Sequence, residues 1–304
     1  MAKKMLFLYN PKAGRNAIKT KLAEILNILT AGGYDILVRP SQAPMDMENI
    51  VKERGKEFDI IVTSGGDGSL NETINGLMSL ENPPVLGYIP TGTVNDFAAS
   101  HNISKNMLVA ARDIVNGDIV KTDIGKFNNS YFSYVAAFGA FTDVSYDTSQ
   151  DAKNILGRNA YILEGIKRIP SLTSHHITVE YENELIEGDF IYGMASNSLS
   201  VGGMKLGHRT SISMNDGYFE FGLVKKTVSD FFNATTMLGA ALSQDLIDNK
   251  SVYNFKAKKV IIRSQEGISW TLDGEFGGVC TEAVIESKKE ALDIIVPHRI
   301  LPLK

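Results

Sequence analysis

From residue 5 to about residue 124, short apolar runs alternate with amphipathic segments, and this alternation restricts the fold more than any other property of the chain. Residues 5–9, 34–39, 59–63 and 85–89 read as short buried strands. Residues 18–31, 47–57 and 69–80 read as the helices between them, with a further helix near 106–116. In the first helix Ile18, Leu22, Ile25, Leu26 and Leu29 share one apolar face. A chain that returns through a helix after each strand lays its strands parallel and covers both faces of the sheet. The expectation for residues 1–124 is an α/β domain on a parallel, Rossmann-like sheet.

After Asp123 the texture changes. Strands are expected at 131–138, 177–181, 184–195, 217–224, 258–264, 268–272 and 283–297. Asn183, Asn215-Asp216-Gly217 and Glu266-Gly267 supply turn residues between them. Helices are expected at 155–169 and 229–246. Residues 125–297 thus read as a second, β-rich domain, a mainly antiparallel β-sandwich, with 298–304 as a tail folding back onto the first.

At 304 residues, 43% of them hydrophobic, the chain is long enough for two cores. A formal net charge of −4 gives no general attraction for nucleic acid or anionic lipid. Cys280 is the single cysteine, which excludes an internal disulfide and fits a reducing compartment. The apolar run near the N-terminus is too short for a signal peptide, and no run approaches the length that crosses a bilayer. The expected location is cytoplasmic, with no transmembrane segment and at most peripheral contact with a membrane.

The chemistry-bearing residues cluster where strands end. Asn10-Pro11-Lys12-Ala13-Gly14-Arg15 follows the first strand, where open α/β sheets bind ligands and helix N-termini favour anions. Asn10 suits a turn, Gly14 close approach by phosphate, and Lys12 or Arg15 a countercharge; a plain strand-to-helix turn explains the same residues about as well. Gly65-Gly66-Asp67-Gly68-Ser69 follows the third strand, and consecutive glycines there form an anion nest. Asp67 would repel bare phosphate, which points to an intervening cation or to a role in ordering the loop. Ser69, with Glu72 three residues on, reads as a capping box. Pro90-Thr91-Gly92-Thr93-Val94-Asn95-Asp96-Phe97-Ala98 follows the next strand and carries more polar side chains than a connection requires, although Asp96 also suits an N-cap and Phe97 a core anchor. Taken alone, Asp123 reads as a surface carboxylate and Asp273-Gly274-Glu275 as a hairpin turn.

Together these segments resemble the catalytic domain of the diacylglycerol kinase family, especially its soluble bacterial lipid kinases, which are also similar to sphingosine kinases. That family carries an NPxSG-like turn, a GGDGT turn, a PxGTxNDFA segment and a late DGE. Here they stand at residues 10–14, 65–69, 90–98 and 273–275, with Ala13 in place of the usual serine and Ser69 in place of threonine. The likeness spans nearly the whole chain.

The resemblance implies an ATP- and Mg²⁺-dependent lipid kinase with its active site in the interdomain cleft, acting on a lipid hydroxyl, diacylglycerol first among acceptors. It implies nucleotide contacts from Asn10, Pro11, Lys12, Gly14, Ser41, Gly65, Gly66, Asp67, Gly68, Ser69, Glu72, Gly92, Thr93 and Asn95. Asp67, Asp96 and Asp123 would organise the catalytic Mg²⁺, through water. Glu275 would be the general base, with Asp273 orienting the strand end or assisting the metal. A structural Mg²⁺ is implied at Asp216 with main-chain oxygens near Ser213 and Tyr218, where a simple Asn-Asp-Gly turn is the competing reading. A homodimer and a membrane surface are the implied partners.

Two other classes stay open. NAD kinases share the GGDG turn and a pair resembling Asn71-Glu72, but not the segment at 90–98. A catalytically silent lipid-binding regulator could use the same fold. In residues 228–246, Val228, Phe231, Phe232, Thr235, Leu238, Leu242 and Leu246 follow helical spacing, suited to a lipid interface or to packing on the β domain.

Overall fold

The computed structural model describes residues 2–139, 173–198, 200–201, 204–205, 213–226 and 252–298. The helices expected at 155–169 and 229–246, and the tail beyond 298, lie outside the described residues. The chain divides into two compact units, Met1–Ile124 with Lys289–Lys304, and Gly125–Lys288.

The first unit opens with β1 (Lys3–Tyr9), a 3-10 turn at Ala13–Asn16, α1 (Ala17–Ala31) and β2 (Tyr34–Pro40). It continues through α2 (Asp46–Arg54), β3 (Ile60–Gly65), α3 (Asp67–Leu77) and β4 (Val85–Pro90). The short α4 (Asp96–Ser100) and α5 (Met107–Asn116) follow, and Asn106 caps α5 by accepting the backbone N–H groups of Leu108 and Val109. β1 pairs parallel with both β2 and β3, and β3 parallel with β4. Every residue of β3 is buried, as a central strand covered on both faces requires. Ile18, Ile25 and Leu29 form the fully buried stripe of α1, while Leu22 and Leu26 lie at its margin. α1 packs with α5 and α2 with α3.

The chain leaves this unit within β5 (Asp118–Phe127). The second unit contains β6 (Ser130–Phe132), β7 (Val135–Gly139), β8 (His175–Tyr181) and β9 (Glu184–Ser196). A small hairpin of β10 (Ser200–Val201) and β11 (Met204–Lys205) follows, then β12 (Phe219–Lys225) and β13 (Val252–Ala257). β14 (Lys259–Leu272) and β15 (Glu275–Val296) form the closing hairpin. The strands of this unit pair antiparallel. Among the described residues they are not two separately hydrogen-bonded sheets, as the sandwich expectation would have them. β9 and β14 are long enough to pair with β8 at one end and β7 at the other, so the described strands, apart from the β10–β11 hairpin, form one hydrogen-bonded network. Trp270, Phe138, Phe190, Phe219 and Phe132 lie in its core.

Three further expectations change here. Residues 258–264 and 268–272 form one strand, because the expected turn at Glu266-Gly267 is absorbed as a register shift between Arg263 and Ile268. The run 131–138 breaks at Ser133-Tyr134. Residues 289–296, expected in the β-rich domain, belong to the first unit, where Ile294 pairs parallel with Leu86 of β4.

Candidate functional site

The turns after β1, β3 and β4 pack on one another at the carboxyl ends of their parallel strands. Asn10 donates its backbone N–H to Ser64 O at 2.9 Å, while its side-chain oxygen accepts from Lys12 N at 2.9 Å. Its amide nitrogen reaches Ser69 Oγ at 3.4 Å. Thr91 donates its N–H to Gly65 O at 2.8 Å, and Ser41 donates its own to Tyr9 O at 2.9 Å. Gly14 adopts φ +56°, and a Cβ there would collide with Thr91 O. A Cβ on Gly92 would lie 2.6 Å from the Gly66 Cα and 2.7 Å from Asn95 Oδ1. Only glycine permits this approach of one loop to the other. Lys12, Gly14 and Thr93 are exposed, and Pro11, Gly66, Asp67, Gly68 and Gly92 half-buried, so backbone and the Lys12 side chain are accessible at the strand ends.

Asn95 holds this arrangement together. It sits in the left-handed region at φ 58° as the N-cap of α4. Its Oδ1 accepts from Gly92 N at 3.0 Å and lies 3.2 Å from the Tyr88 hydroxyl, and its Nδ2 donates to Gly92 O at 2.7 Å. Its backbone N–H donates to Asp67 Oδ2 at 2.9 Å. The side-chain amide expected to contact nucleotide thus bonds within its own loop and to Tyr88.

The expected capping box is not formed. α3 begins at Asp67, with Gly66 as N-cap and no side-chain cap, which leaves Ser69 inside the helix and buried. Glu72 instead accepts the backbone N–H of Met47 at 3.3 Å, at the first turn of α2, whose own N-cap Met45 supplies no side-chain bond. Burial pushes the Glu72 carboxyl up, offset by the N–H groups of Met45 and Met47 and reinforced by Glu48 and Asp46. Asn71 accepts from the Asn75 amide at 3.1 Å.

Of the three carboxylates expected at a catalytic metal, Asp67 is half-buried, whereas Asp96 is 1% and Asp123 0% exposed. Asp123, expected at the surface on its own evidence, lies inside the first unit and accepts Glu290 N at 2.6 Å. Asp96 occupies the first turn of α4, while the N-cap is Asn95. Among the described residues, no three His, Cys, Asp or Glu side chains gather as a metal-binding group.

In the second unit Asp273 and Gly274, at φ 52° and 83°, form the two-residue turn between β14 and β15, with Leu272 paired to Glu275. Asp273 is 3% exposed and accepts four hydrogen bonds: from Ser133 N and Oγ at 2.7 and 2.9 Å, Tyr134 N at 2.9 Å and Val135 N at 3.1 Å. Both its oxygens are occupied, so it fastens the hairpin and is not available to assist a metal. Glu275, beside it, is exposed. At the second expected Mg²⁺ site, Asp216 Oδ1 accepts Tyr218 N at 2.9 Å in a local turn, and Oδ2 lies 3.7 Å from Lys256 Nζ. Ser213 Oγ donates to Asn215 Oδ1 at 2.8 Å. These contacts support the Asn-Asp-Gly turn reading.

Tyr88, which belongs to none of the motifs, also reaches these loops through its hydroxyl. The signal was present: a tyrosine in an apolar strand must find a partner for its hydroxyl once buried.

Residues 4–127 match the family model described as the diacylglycerol kinase catalytic domain. A diacylglycerol kinase of Bacillus subtilis (strain 168) is 36% identical over 280 residues, covering 91% of each chain. A diacylglycerol kinase of Staphylococcus haemolyticus (strain JCSC1435) is 32% identical and covers 99% of this chain and 90% of its own. A crystal structure from Bacillus anthracis str. Sterne superposes with a TM-score of 0.82 at 25% identity, over 97% of this chain and 95% of the other. Packed glycine turns at the strand ends and identity sustained over nine-tenths of the chain lead to one assignment: the protein belongs to the diacylglycerol kinase family and is a kinase.

Proposed function

We propose that the protein transfers the γ-phosphoryl group of ATP to the hydroxyl of a membrane lipid, with diacylglycerol as acceptor and phosphatidic acid and ADP as products. The observation that carries this reading is the packing of the Gly14, Gly66 and Gly92 loops on one another beside the half-buried Asp67. The parallel sheet below them is read as a Rossmann-like nucleotide-binding sheet, and the two units as the nucleotide and lipid domains. Backbone N–H groups of the loops face the phosphates, and Lys12 supplies a countercharge.

Mg²⁺ characteristically binds through one or two carboxylates, several waters and the substrate's own phosphates. Asp67 fits that mode, through water, and Asp96 and Asp123, both buried in the first unit, belong to the same reading. When bound, the ion neutralises charge on the phosphates. In the transfer, the acceptor oxygen forms its bond to the γ-phosphorus as the bond to the β,γ-bridging oxygen breaks. Glu275, exposed and fixed by the Asp273 turn, takes the hydroxyl proton. Transient attachment to a membrane surface and a homodimer belong to the same reading.

The test is transfer of label from ATP radiolabelled on the γ-phosphate, in mixed micelles containing Mg²⁺. Diacylglycerol, monoacylglycerol, sphingosine, phosphatidylglycerol and NAD are each offered as acceptor. Label in diacylglycerol supports the proposal. Label in NAD instead, or ATP binding with no transfer to any acceptor, overturns it.

A further inference from the structure

We infer that Tyr88 is a positioning residue that sets the spacing of the two glycine loops from beneath, a role that rests on reading those loops as the ATP site. Tyr88 lies on β4, 2% exposed, with its ring against the edge of Phe97 at 6.3 Å between centroids. Its hydroxyl reaches Gly65 O at 3.1 Å and Asn95 Oδ1 at 3.2 Å. One of these oxygens belongs to Gly65, the last residue of β3, where the first loop begins, and the other to the turn after β4. A phenol carries a single hydrogen, so it donates to one oxygen at a time while remaining in contact with both.

The consequences spread from these two oxygens. Gly65 O also accepts Thr91 N, and Asn95 Oδ1 also accepts Gly92 N, so Tyr88 adjoins the bonds that hold the second loop on the first. Asn95 in turn presents its backbone N–H to Asp67. Two hydrogen bonds therefore connect the Tyr88 hydroxyl to the half-buried carboxylate of the site. Burial, and after it the charge of Asp67, raises the phenol well above the ordinary tyrosine range, which keeps it a donor at any working pH. Phenylalanine would fill the same volume and leave Gly65 O and Asn95 Oδ1 with their backbone partners. Tyr88→Phe thus removes the fastening without emptying the core or orphaning a carbonyl.

Two readouts test this. In the free protein, hydrogen exchange at the Thr91 and Gly92 amides should quicken about tenfold in Tyr88→Phe. In steady-state transfer, KM for ATP should rise about fivefold, with KM for diacylglycerol unchanged and kcat within about twofold. Thr63→Val is the control for general loss of stability. It removes a buried hydroxyl bond to Thr73, 2.7 Å long, in the same sheet, and should lower Tm while moving neither readout. Unchanged exchange at both amides overturns the inference, as does quickened exchange with a wild-type KM for ATP. Quickened exchange in a chain whose wild type takes up no ATP supports the fastening of the loops and overturns the reading of them as a nucleotide site.

Discussion

Asn95 donates its backbone N–H to a carboxylate oxygen of Asp67 at 2.9 Å, joining two turns that lie 28 residues apart in the chain. Asp67 stands at the first position of α3 and Asn95 just before α4, so a single bond sets two helix starts against each other. The negative side chain also lies at a helix N-terminus, where the helix dipole favours it. The contact explains why an aspartate can sit in a loop read as a phosphate cradle: one of its oxygens is held by protein, which fixes where the rest of the carboxylate points.

The glycine loops should tolerate no side chain where they touch. In Gly92→Ala the new Cβ would meet the Gly66 Cα at 2.6 Å and Asn95 Oδ1 at 2.7 Å, atoms fixed by backbone and by three hydrogen bonds. Separating the loops should cost about 2 kcal/mol of stability and weaken ATP binding at least about tenfold. Gly33→Ala is the comparison. At φ +89° with open space around it, it should cost about 1 kcal/mol and leave ATP binding unchanged. Isothermal titration with ATP and urea unfolding of both variants decide the matter.

Asp273 should behave as a structural residue. Asp273→Ala leaves three buried backbone N–H groups and one hydroxyl without their acceptor, a loss of about 3 kcal/mol or more. Asp273→Asn keeps the left-handed turn and one acceptor oxygen, so it should lose about half as much. Denaturant unfolding gives both values. Equal stability of wild type and the alanine variant would contradict the fastening role.

Glu72 predicts a pH effect of definite sign. Burial raises its folded pKa above that of the unfolded chain, so the folded protein holds this proton more tightly. Stability from this group is gained as pH falls through the folded pKa, and the charged carboxylate weighs against folding above it. Glu72→Gln should therefore be more stable than wild type near neutral pH. The difference should close toward about pH 4, the ordinary glutamate value. Thermal unfolding across that range reads it directly. A wild type more stable at neutral pH would mean that the bonds to the start of α2 outweigh burial.

Local pattern made much of the first unit legible. Apolar runs placed β1 to β4, and the Ile18, Ile25 and Leu29 stripe placed α1, because burial on a sheet imposes a short-range period. What local pattern missed depends on distant partners. The break between β6 and β7 follows from Asp273, about 140 residues later, taking up the N–H groups of Ser133, Tyr134 and Val135. The false capping box at Ser69 arose because α3 starts two residues earlier, where Asp67 meets Asn95. The pairing of Asp216 with Lys256, from a separate strand, is likewise invisible to local pattern. The motif residues around the glycine loops were visible from residue type, but not the division of labour among them, in which Asn95 fastens its loop and Asp67 remains half-buried.

The most direct test of the account is single-turnover phosphoryl transfer to diacylglycerol, comparing wild type with Glu275→Gln at saturating ATP and Mg²⁺. Glu275 is exposed, so the variant should keep the wild-type Tm and ATP affinity. Removing a general base should slow transfer by about 10²-fold to 10⁴-fold. Transfer by Glu275→Gln at the wild-type rate would contradict the account.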